Sequence, residues 1–242
     1  MLILLTLLVP LVGGALLGVL RPRSNRLRAW YVEAVVIATS ILVWTVILTR
    51  TEEPFILYHL TDALPLSFRV DGMSCVFAGL VSLLWPIASL YGFEYMHHEE
   101  RENPFFMWYT MSYAATLAIA FAGNLFTLYV FYECLTLVTL PLVIHKKDTK
   151  SIRAGRKYLT YSITGAAMAF IALVCLIYFA GTTDFTLGGV LSETVRSEHA
   201  PLLLGVFVLA FIGFGTKAAV FPMHAWLPAA SVAPTPVTAL LH

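Results

Sequence analysis

The stretch FIGFGTKAAVFPMHAWLP, residues 211–228, is apolar almost throughout, yet it carries Lys217 near its centre and Pro222 five residues later. A lysine at the centre of a membrane span costs about 3 kcal/mol on insertion scales, so its presence needs a reason. Proline breaks a helix, and Gly213 and Gly215 loosen the preceding turn. Broken helices at membrane depth are tolerated where they line a cavity or pack against protein. The stretch therefore predicts a discontinuous membrane-spanning helix, broken just after Lys217.

The composition of the whole chain supports a membrane protein. Of its 242 residues, 59% are hydrophobic and 12% are charged, and its mean hydropathy is +0.82. A soluble domain carries about 25% charged residues. Long apolar blocks can cross the roughly 30 Å hydrocarbon core as helices, which satisfy their own backbone groups in lipid. The predicted fold class is all-α, a polytopic transmembrane helical bundle.

The apolar blocks predict seven membrane spans and the start of an eighth. The spans cover residues 2–20, 30–49, 73–92, 105–122, 125–144, 158–180 and 202–228, and the eighth begins near Pro234. Because the chain stops at His242, inside that eighth span, we expect either a fragment or a subunit completed by a separate chain. The outer loop at 50–72 ends in alternating apolar and polar residues, which predicts a short hairpin on the membrane surface.

The distribution of lysine and arginine predicts the orientation. The loops after spans 1, 3 and 5 carry eleven of the 15 basic residues, and the opposite loops carry only Arg50, Arg69 and Arg196. The positive-inside rule places the first set of loops in the cytoplasm and the amino terminus outside. The predicted location is the cytoplasmic membrane of a bacterium or an archaeon.

Three glutamate, lysine or histidine residues lie deep within predicted spans, away from the span ends. Glu133 lies near the middle of span 5, Lys217 near the middle of span 7, and His242 roughly 12 Å into span 8. Glu33 and Glu94 lie near span ends, where a side chain can reach water. The functional interpretation is a proton or cation path built from Glu133, Lys217 and His242.

The chemistry of such a path follows from Coulomb's law. A carboxylate about 4 Å from a buried ammonium attracts it by about 4 kcal/mol at an effective dielectric constant near 20, and by under about 2 kcal/mol at roughly 10 Å. A small change in the separation of Glu133 and Lys217 therefore loads or releases a proton. His242 is the next proton-binding group on the path, because imidazole titrates near neutral pH. The alternative is a buried ion pair that locks two helices and transports nothing.

No cofactor or metal site is predicted. His97 and His98 are adjacent on a charged loop without a suitably spaced third ligand. The chain has no cysteine cluster for iron–sulfur and no glycine-rich dinucleotide loop. Any redox chemistry would therefore belong to partner subunits, and whether the assembly is an enzyme stays open. No nucleic-acid partner is expected.

Several motifs resemble one family. The segments GFGTKAAVFPMHAWLPAASVAPTPVTALLH (213–242), NLFTLYVFYECLTL (124–137) and FRVDGMSCVFAGLVSLL (68–84) resemble the antiporter-like subunits of respiratory complex I, as do YMHHEE (95–100) and NPFF (103–106). The same family includes components of Mrp-type cation/proton antiporters, among them the D-type component, and of energy-converting membrane hydrogenases. The resemblance covers nearly the whole chain.

The resemblance implies a fold of about fourteen helices with two inverted five-helix repeats. Residues 1–104 would hold spans 1–3 with the outer loop, and residues 105–242 the first repeat, spans 4–8, truncated within span 8. Glu133 and Lys217 would be the pair central to proton transfer, and His242 the ionisable position on span 8. Lys157 resembles a lysine near the start of span 6 that interacts with this pair. Its alternative is a positive-inside anchor at the cytoplasmic edge.

The predicted function is proton translocation, or sodium/proton exchange, by an antiporter-like subunit of a larger assembly. That assembly is an NADH–quinone oxidoreductase, a hydrogenase or an Mrp-type antiporter, so the partners are other membrane subunits and the lipid bilayer. Two alternatives stay open. One is a structural membrane subunit that conducts nothing, and the other is a stand-alone secondary transporter of an organic solute.

Overall fold

The computed structural model describes residues 2–50, 53–61 and 64–242, which are mostly helical. The helices are α1 (Leu2–Leu20), α2 (Asn25–Leu48), α3 (Gly72–Met96), α4 (Glu102–Ala120), α5 (Leu125–Val143), α6 (Thr149–Ala180), α7 (Glu193–Glu198), α8 (Ala200–Gly215), α9 (Trp226–Ala230) and α10 (Thr235–Leu241). Two strands, β1 (Phe55–Thr61) and β2 (Leu64–Phe68), form an antiparallel pair. The architecture is that of a bundle of apolar helices suited to a membrane.

Five of these helices, α1, α2, α3, α5 and α6, are long and apolar enough to cross a membrane. The predicted fourth span coincides with α4, which is less apolar, and α8 is apolar but only 16 residues long. The predicted count of seven spans and an eighth therefore stays a prediction. α10 begins just after Pro234, where the eighth span is predicted to start.

Helix α4 is less apolar because much of its surface packs inside the protein. It contacts α1, α2, α3 and α5. Its side chains Phe105 and Tyr113 are fully buried, and the Trp85 ring of α3 stacks on Tyr113 with 4.6 Å between centroids. Polar groups are tolerated on a helix whose neighbours are protein rather than lipid. α4 is thus the central helix of the amino-terminal bundle.

The predicted hairpin is confirmed, with its strands displaced towards the start of the outer loop. Strand β2 is fixed to the junction between α4 and α5. The side chain of Asn124, which caps α5, donates to Pro65 O at 2.7 Å and to Ser67 Oγ at 2.9 Å. Thr127 Oγ1 accepts from Ser67 N at 2.9 Å. The hairpin and the start of α5 therefore form one hydrogen-bonded unit.

Residues 149–157, assigned by the sequence to the loop after span 5, are helical, because α6 begins at Thr149. Asp148 accepts a hydrogen bond from Ser151 N at 2.7 Å and so caps the helix. The helix signal was hidden in a basic segment that hydropathy assigned to a loop. Lys157 consequently lies well inside α6, and α6 spans 32 residues.

The predicted span over residues 202–228 is discontinuous, as expected, and its break includes Lys217 and the left-handed Ala219 just after it. α8 ends at Gly215, and α9 begins only at Trp226. Val220 N donates to Gly215 O at 3.0 Å and Ala219 N to Thr216 O at 3.1 Å, while Ala219 has φ +53°. These bonds form a Schellman motif, which satisfies the last helical carbonyls. The chain therefore turns at Lys217, before Pro222 is reached.

Close packing of α6 on α8 fixes the position of this turn. A Cβ atom on Gly213 would lie 2.6 Å from Ala169 N, and one on Gly165 would lie 2.9 Å from Gly213 O. Small residues at helix interfaces let backbones approach closely in membrane proteins. The end of α8, and Lys217 with it, is thereby held beside α6.

Candidate functional site

Lys217 is partly buried at the end of α8, facing α5 and α6. Its Nζ donates a hydrogen bond to Thr136 Oγ1. Nζ also lies 4.6 Å from the ring centroid of Tyr132 and 5.9 Å from that of Tyr158. Aromatic faces attract cations within about 6 Å. The amine is thus surrounded by a neutral hydroxyl and two π faces, and none of the carboxylates in residues 2–50, 53–61 and 64–242 forms an ion pair with it.

Helical spacing on α5 places the partners of the lysine. Tyr132 and Thr136 are four residues apart, so they lie on one face. Thr139 extends this face, and its Oγ1 lies 2.8 Å from the hydroxyl oxygen of Tyr158 on α6. Thr136, Thr139 and Tyr158 are all buried. The facing sides of α5 and α6 therefore carry a row of buried hydroxyl groups, and Lys217 lies at one end of this row.

The broken end of α8 is satisfied by side chains of the same site. Tyr132 Oη donates to Gly213 O at 3.0 Å, and Trp226 Nε1 donates to Thr216 O at 2.7 Å. Carbonyls at a helix carboxyl end otherwise lack partners, and together they carry a partial negative charge. That charge favours the cationic form of the nearby Lys217.

Glu133 follows Tyr132 and precedes Thr136 by three residues, so its side chain leaves α5 beside the hydroxyl that holds Lys217. Its Oε1 is enclosed and has no hydrogen-bond partner within the described residues. The ion pairs within 4 Å in residues 2–50, 53–61 and 64–242 do not include Glu133 with Lys217. The two charges interact electrostatically without contact, with Thr136 bonded to the amine.

The structure does not bring the other two predicted residues to this site. His242 is exposed at the end of α10, with its Nδ1 2.7 Å from Thr238 O. Lys157 is exposed on α6, although the next residue, Tyr158, faces Lys217. Of the four predicted site residues, only Glu133 and Lys217 are near one another.

A cavity of about 620 Å³ begins at the site. Lys217, Thr139, Tyr158 and Trp226 line one part of it, and residues of α3, α4 and α10 line the rest. Leu241, the neighbour of His242, is among the lining residues. The cavity thus extends from the lysine towards the helix that carries the histidine.

Sequence reasoning missed Tyr132, Thr136 and Tyr158. The first two had a signal, because they lie one helical turn from each other, on either side of Glu133. Tyr158 had none, since its proximity depends on how α6 packs. For metals, the described part of the chain holds no cluster of three or more histidine, cysteine or acidic side chains. His97 instead lies with Nδ1 2.9 Å from Nδ2 of Asn25.

The fold and this site define a class. The chain is a bundle of apolar helices in which a helix breaks at a buried lysine, with a carboxyl group beside it. Intramembrane charges and broken helices are features of proteins that move ions.

Comparison with known proteins identifies the family. Residues 122–242 match the family model described as NADH:quinone oxidoreductase/Mrp antiporter, TM. Residues 61–106 match NADH-Ubiquinone oxidoreductase (complex I), chain 5 N-terminus. The chain belongs to the NADH:quinone oxidoreductase/Mrp antiporter family and is an integral membrane protein of the antiporter-like type, which confirms the resemblance seen in the sequence.

Individual relatives agree with this assignment. The A/B component of a probable K(+)/H(+) antiporter of Rhizobium meliloti (strain 1021) is 30% identical over 98% of this chain and 24% of its own length. Hydrogenase-4 component B of Escherichia coli (strain K12) is 34% identical over 73% of this chain and 26% of its own. The chain thus spans about a quarter of these curated relatives.

A solved structure supports the fold. A chain in the structure of the Mrp complex from Dietzia sp. DQ12-45-1b superposes on all of this chain with a TM-score of 0.85 at 24% identity, and 26% of that chain is covered. The helical arrangement is therefore one that occurs in a known membrane complex.

Proposed function

We propose that this chain contributes to proton translocation, or to exchange of protons for sodium ions, as part of an antiporter-like subunit in a larger membrane complex. Its partners are the other membrane subunits of an Mrp-type, hydrogenase or complex I-like assembly. The observation that carries the proposal is that two opposite charges, Glu133 and Lys217, are near one another but not in contact. Lys217 is held by Thr136 and two tyrosine rings, while the nearby Glu133 carboxyl group has no contact with it.

This geometry supports a switch based on distance. Burial of an ammonium group favours loss of its proton, and an approaching carboxylate favours its retention. Closing the gap between two unit charges from roughly 10 Å to about 4 Å adds more than about 2 kcal/mol of attraction at an effective dielectric constant of 20. A modest movement of α5 relative to the end of α8 would therefore load the amine, and the reverse movement would release the proton.

The remaining sequence-based assignments complete the proposal. His242 is the next station, reached through the cavity between Lys217 and α10, and Lys157 tunes the pair from α6. Residues 1–104 form the amino-terminal unit and residues 105–242 the start of the first antiporter repeat. The amino terminus lies outside a bacterial or archaeal cytoplasmic membrane, as the lysine and arginine distribution favours.

The test uses full-length protein in its assembled complex, reconstituted in liposomes with a pH-sensitive dye inside. Lys217→Ala and Glu133→Gln should each slow proton flux at least tenfold at unchanged assembly, because each removes one charge of the switch. Lys150→Ala is the control, since Lys150 is exposed near the start of α6. Unchanged flux in both site variants would support a structural subunit instead. Uptake of an organic solute by the protein in the absence of its complex would support a stand-alone transporter.

A further inference from the structure

A second acidic side chain lies inside the bundle, away from the site described above. Glu33 is partly buried on α2, and its Oε2 is 2.5 Å from Oγ of the fully buried Ser89 on α3. α2 begins five residues earlier than predicted, so Glu33 lies about 12 Å along the helix at 1.5 Å per residue. That Glu33 lies near the end of a membrane span stays a prediction, since the start of a helix does not mark the start of a span.

Counting protons at Ser89 indicates the state of this acid. Ser89 Oγ lies within hydrogen-bond distance of two acceptors, Glu33 Oε2 and, at 2.8 Å, Pro86 O. A serine hydroxyl has one proton, and a carbonyl oxygen can only accept. Both contacts are full hydrogen bonds only if Glu33 supplies the second proton. The protonated acid then donates to Ser89 Oγ, which donates to Pro86 O.

A second acid shows that a shared serine does not by itself fix the protonation state and that a nearby cation makes the difference. Asp71 shares Ser74 Oγ with a carbonyl in a similar way, at 2.9 Å, but Arg69 Nη2 lies 3.3 Å from its carboxylate. Although partial burial opposes the effect, bonds from Ser74 and Arg69 hold the pKa of Asp71 below its usual value. None of the ion pairs within 4 Å in the described ranges includes Glu33. An unpaired carboxylate inside a bundle is costly, so the neutral acid is favoured.

The surroundings connect Glu33 with the lysine site. Tyr109 of α4 is within electrostatic range of Glu33 and lines the same cavity as Lys217. Trp85, four residues before Ser89 on α3, also lines that cavity, and its Nε1 is enclosed without an acceptor within the described residues. Tyr109 and Trp85 thus bring two polar groups to the wall of a cavity whose remaining lining is largely apolar.

We propose that Glu33 is a second proton-binding site, loaded at rest and emptied during transport. On release, the carboxylic acid becomes a carboxylate and its proton passes through the cavity to the neutral amine of Lys217, which becomes an ammonium ion. One proton is transferred and net charge is conserved. The role in transport rests on the proposed function, whereas the loaded resting state does not.

The resting state can be measured by infrared difference spectroscopy on the assembled complex at neutral pH. Subtracting the spectrum of Glu33→Gln from that of the native protein should leave the carbonyl-stretch band of a protonated carboxylic acid. Glu94→Gln, an exposed position on α3, should leave carboxylate bands instead. Carboxylate bands for Glu33 would overturn the proposal.

The transport role is tested by proton flux in liposomes. Glu33→Gln should slow flux at least fivefold at unchanged assembly, and Glu33→Asp should retain more flux than Glu33→Gln because it can still carry a proton. Unchanged flux in Glu33→Gln would overturn this role. If Glu33→Gln slows flux while Lys217→Ala does not, the lysine switch fails and Glu33 still stands as a proton-binding site, with a different acceptor.

Discussion

Two buried cations in this molecule have opposite surroundings. Arg28, in the first turn of α2, forms an ion pair with Glu102 at the start of α4, and its guanidinium also donates to Asn25 Oδ1 at 2.8 Å and Asn103 Oδ1 at 3.2 Å. Lys217 has one hydroxyl partner and two aromatic faces. The first cation thus has a carboxylate and two amide oxygens as partners, whereas the second has no carboxylate in contact among the described residues.

The difference separates a structural charge from a mobile one. A buried ion pair with all its hydrogen bonds made costs energy to open, so it fixes the helices that it joins. A buried amine whose carboxyl partner is near but not in contact can change its charge with a small displacement. Arg28 should therefore govern stability, and Lys217 should govern transport.

The largest expected effect is on stability, for Arg28→Met in the assembled complex. The substitution leaves the partly buried Glu102 without its partner, and the loss of a buried pair costs at most about 3–5 kcal/mol. We expect a lower midpoint of thermal unfolding and less assembled complex, with unchanged flux per complex. Arg26→Met, an exposed position in the same turn, is the control. Equal stability of the two variants would remove the distinction between the two cations.

Thr136→Val should act on transport instead. It keeps the shape of the side chain and removes the acceptor of the Lys217 hydrogen bond, and bonds to charged groups contribute about 1.5–3 kcal/mol. Proton flux should fall about tenfold or more, because the amine holds its proton less well. Thr136→Ser, which keeps the hydroxyl, should retain most of the flux. If Val and Ser behave alike, the hydroxyl has no part in the switch.

His145, which follows the end of α5, allows a test of how the stability of the folded protein depends on pH. Its Nε2 donates to Glu100 O at 2.9 Å, and burial lowers the pKa of the imidazole below its usual value. The neutral form is therefore favoured in the folded protein, and the stability it contributes is present above about pH 6.5 and lost as the pH falls through the lower folded pKa. The loss is at most about 1.4 kcal/mol per pH unit.

Unfolding midpoints measured between neutral and acidic pH should show this loss in the native protein and less of it in His145→Gln. An identical acid dependence in both proteins would contradict the assignment. The exposed His98→Gln serves as the control and should change nothing.

The smallest expected effect is a gain at the helix break. Ala219 has a left-handed backbone conformation, which favours glycine, so Ala219→Gly should stabilise the protein by about 0.5–1 kcal/mol. Ala218→Gly, at a neighbouring position that lacks the positive φ, should not stabilise it. A destabilised Ala219→Gly variant would contradict the Schellman ending. Flux should be unchanged in both.

Sequence patterns predicted those parts of the structure that depend on local chemistry. Hydropathy located most of the long helices, the alternating outer loop predicted the hairpin, and Lys217 with its glycines and proline predicted a broken helix. The prediction attributed the break to Pro222, whereas Ala219, two residues after Lys217, makes the turn. Residues 149–157 were assigned to a loop because the Asp148 cap is a weaker signal than a run of basic residues.

Contacts between distant helices were not predictable in this way. Thr136 and Lys217 are 81 residues apart in sequence, and Arg28 and Glu102 are 74 apart. Each pair depends on the rotation of one helix relative to another, which hydropathy does not encode. Glu133 and Lys217 were predicted as partners from their place within spans and from resemblance, but the bond of Lys217 to Thr136 emerges only from packing.

The central claim is that Glu133 and Lys217 act as one unit, and a double-mutant cycle on proton flux tests it most directly. Flux is measured for the native complex, Glu133→Gln, Lys217→Ala and the double variant, each normalised to assembled protein. If the two groups exchange one mobile charge, the double variant should be no slower than the slower single variant. Effects of the two substitutions that multiply would show that the residues act independently and would contradict the account.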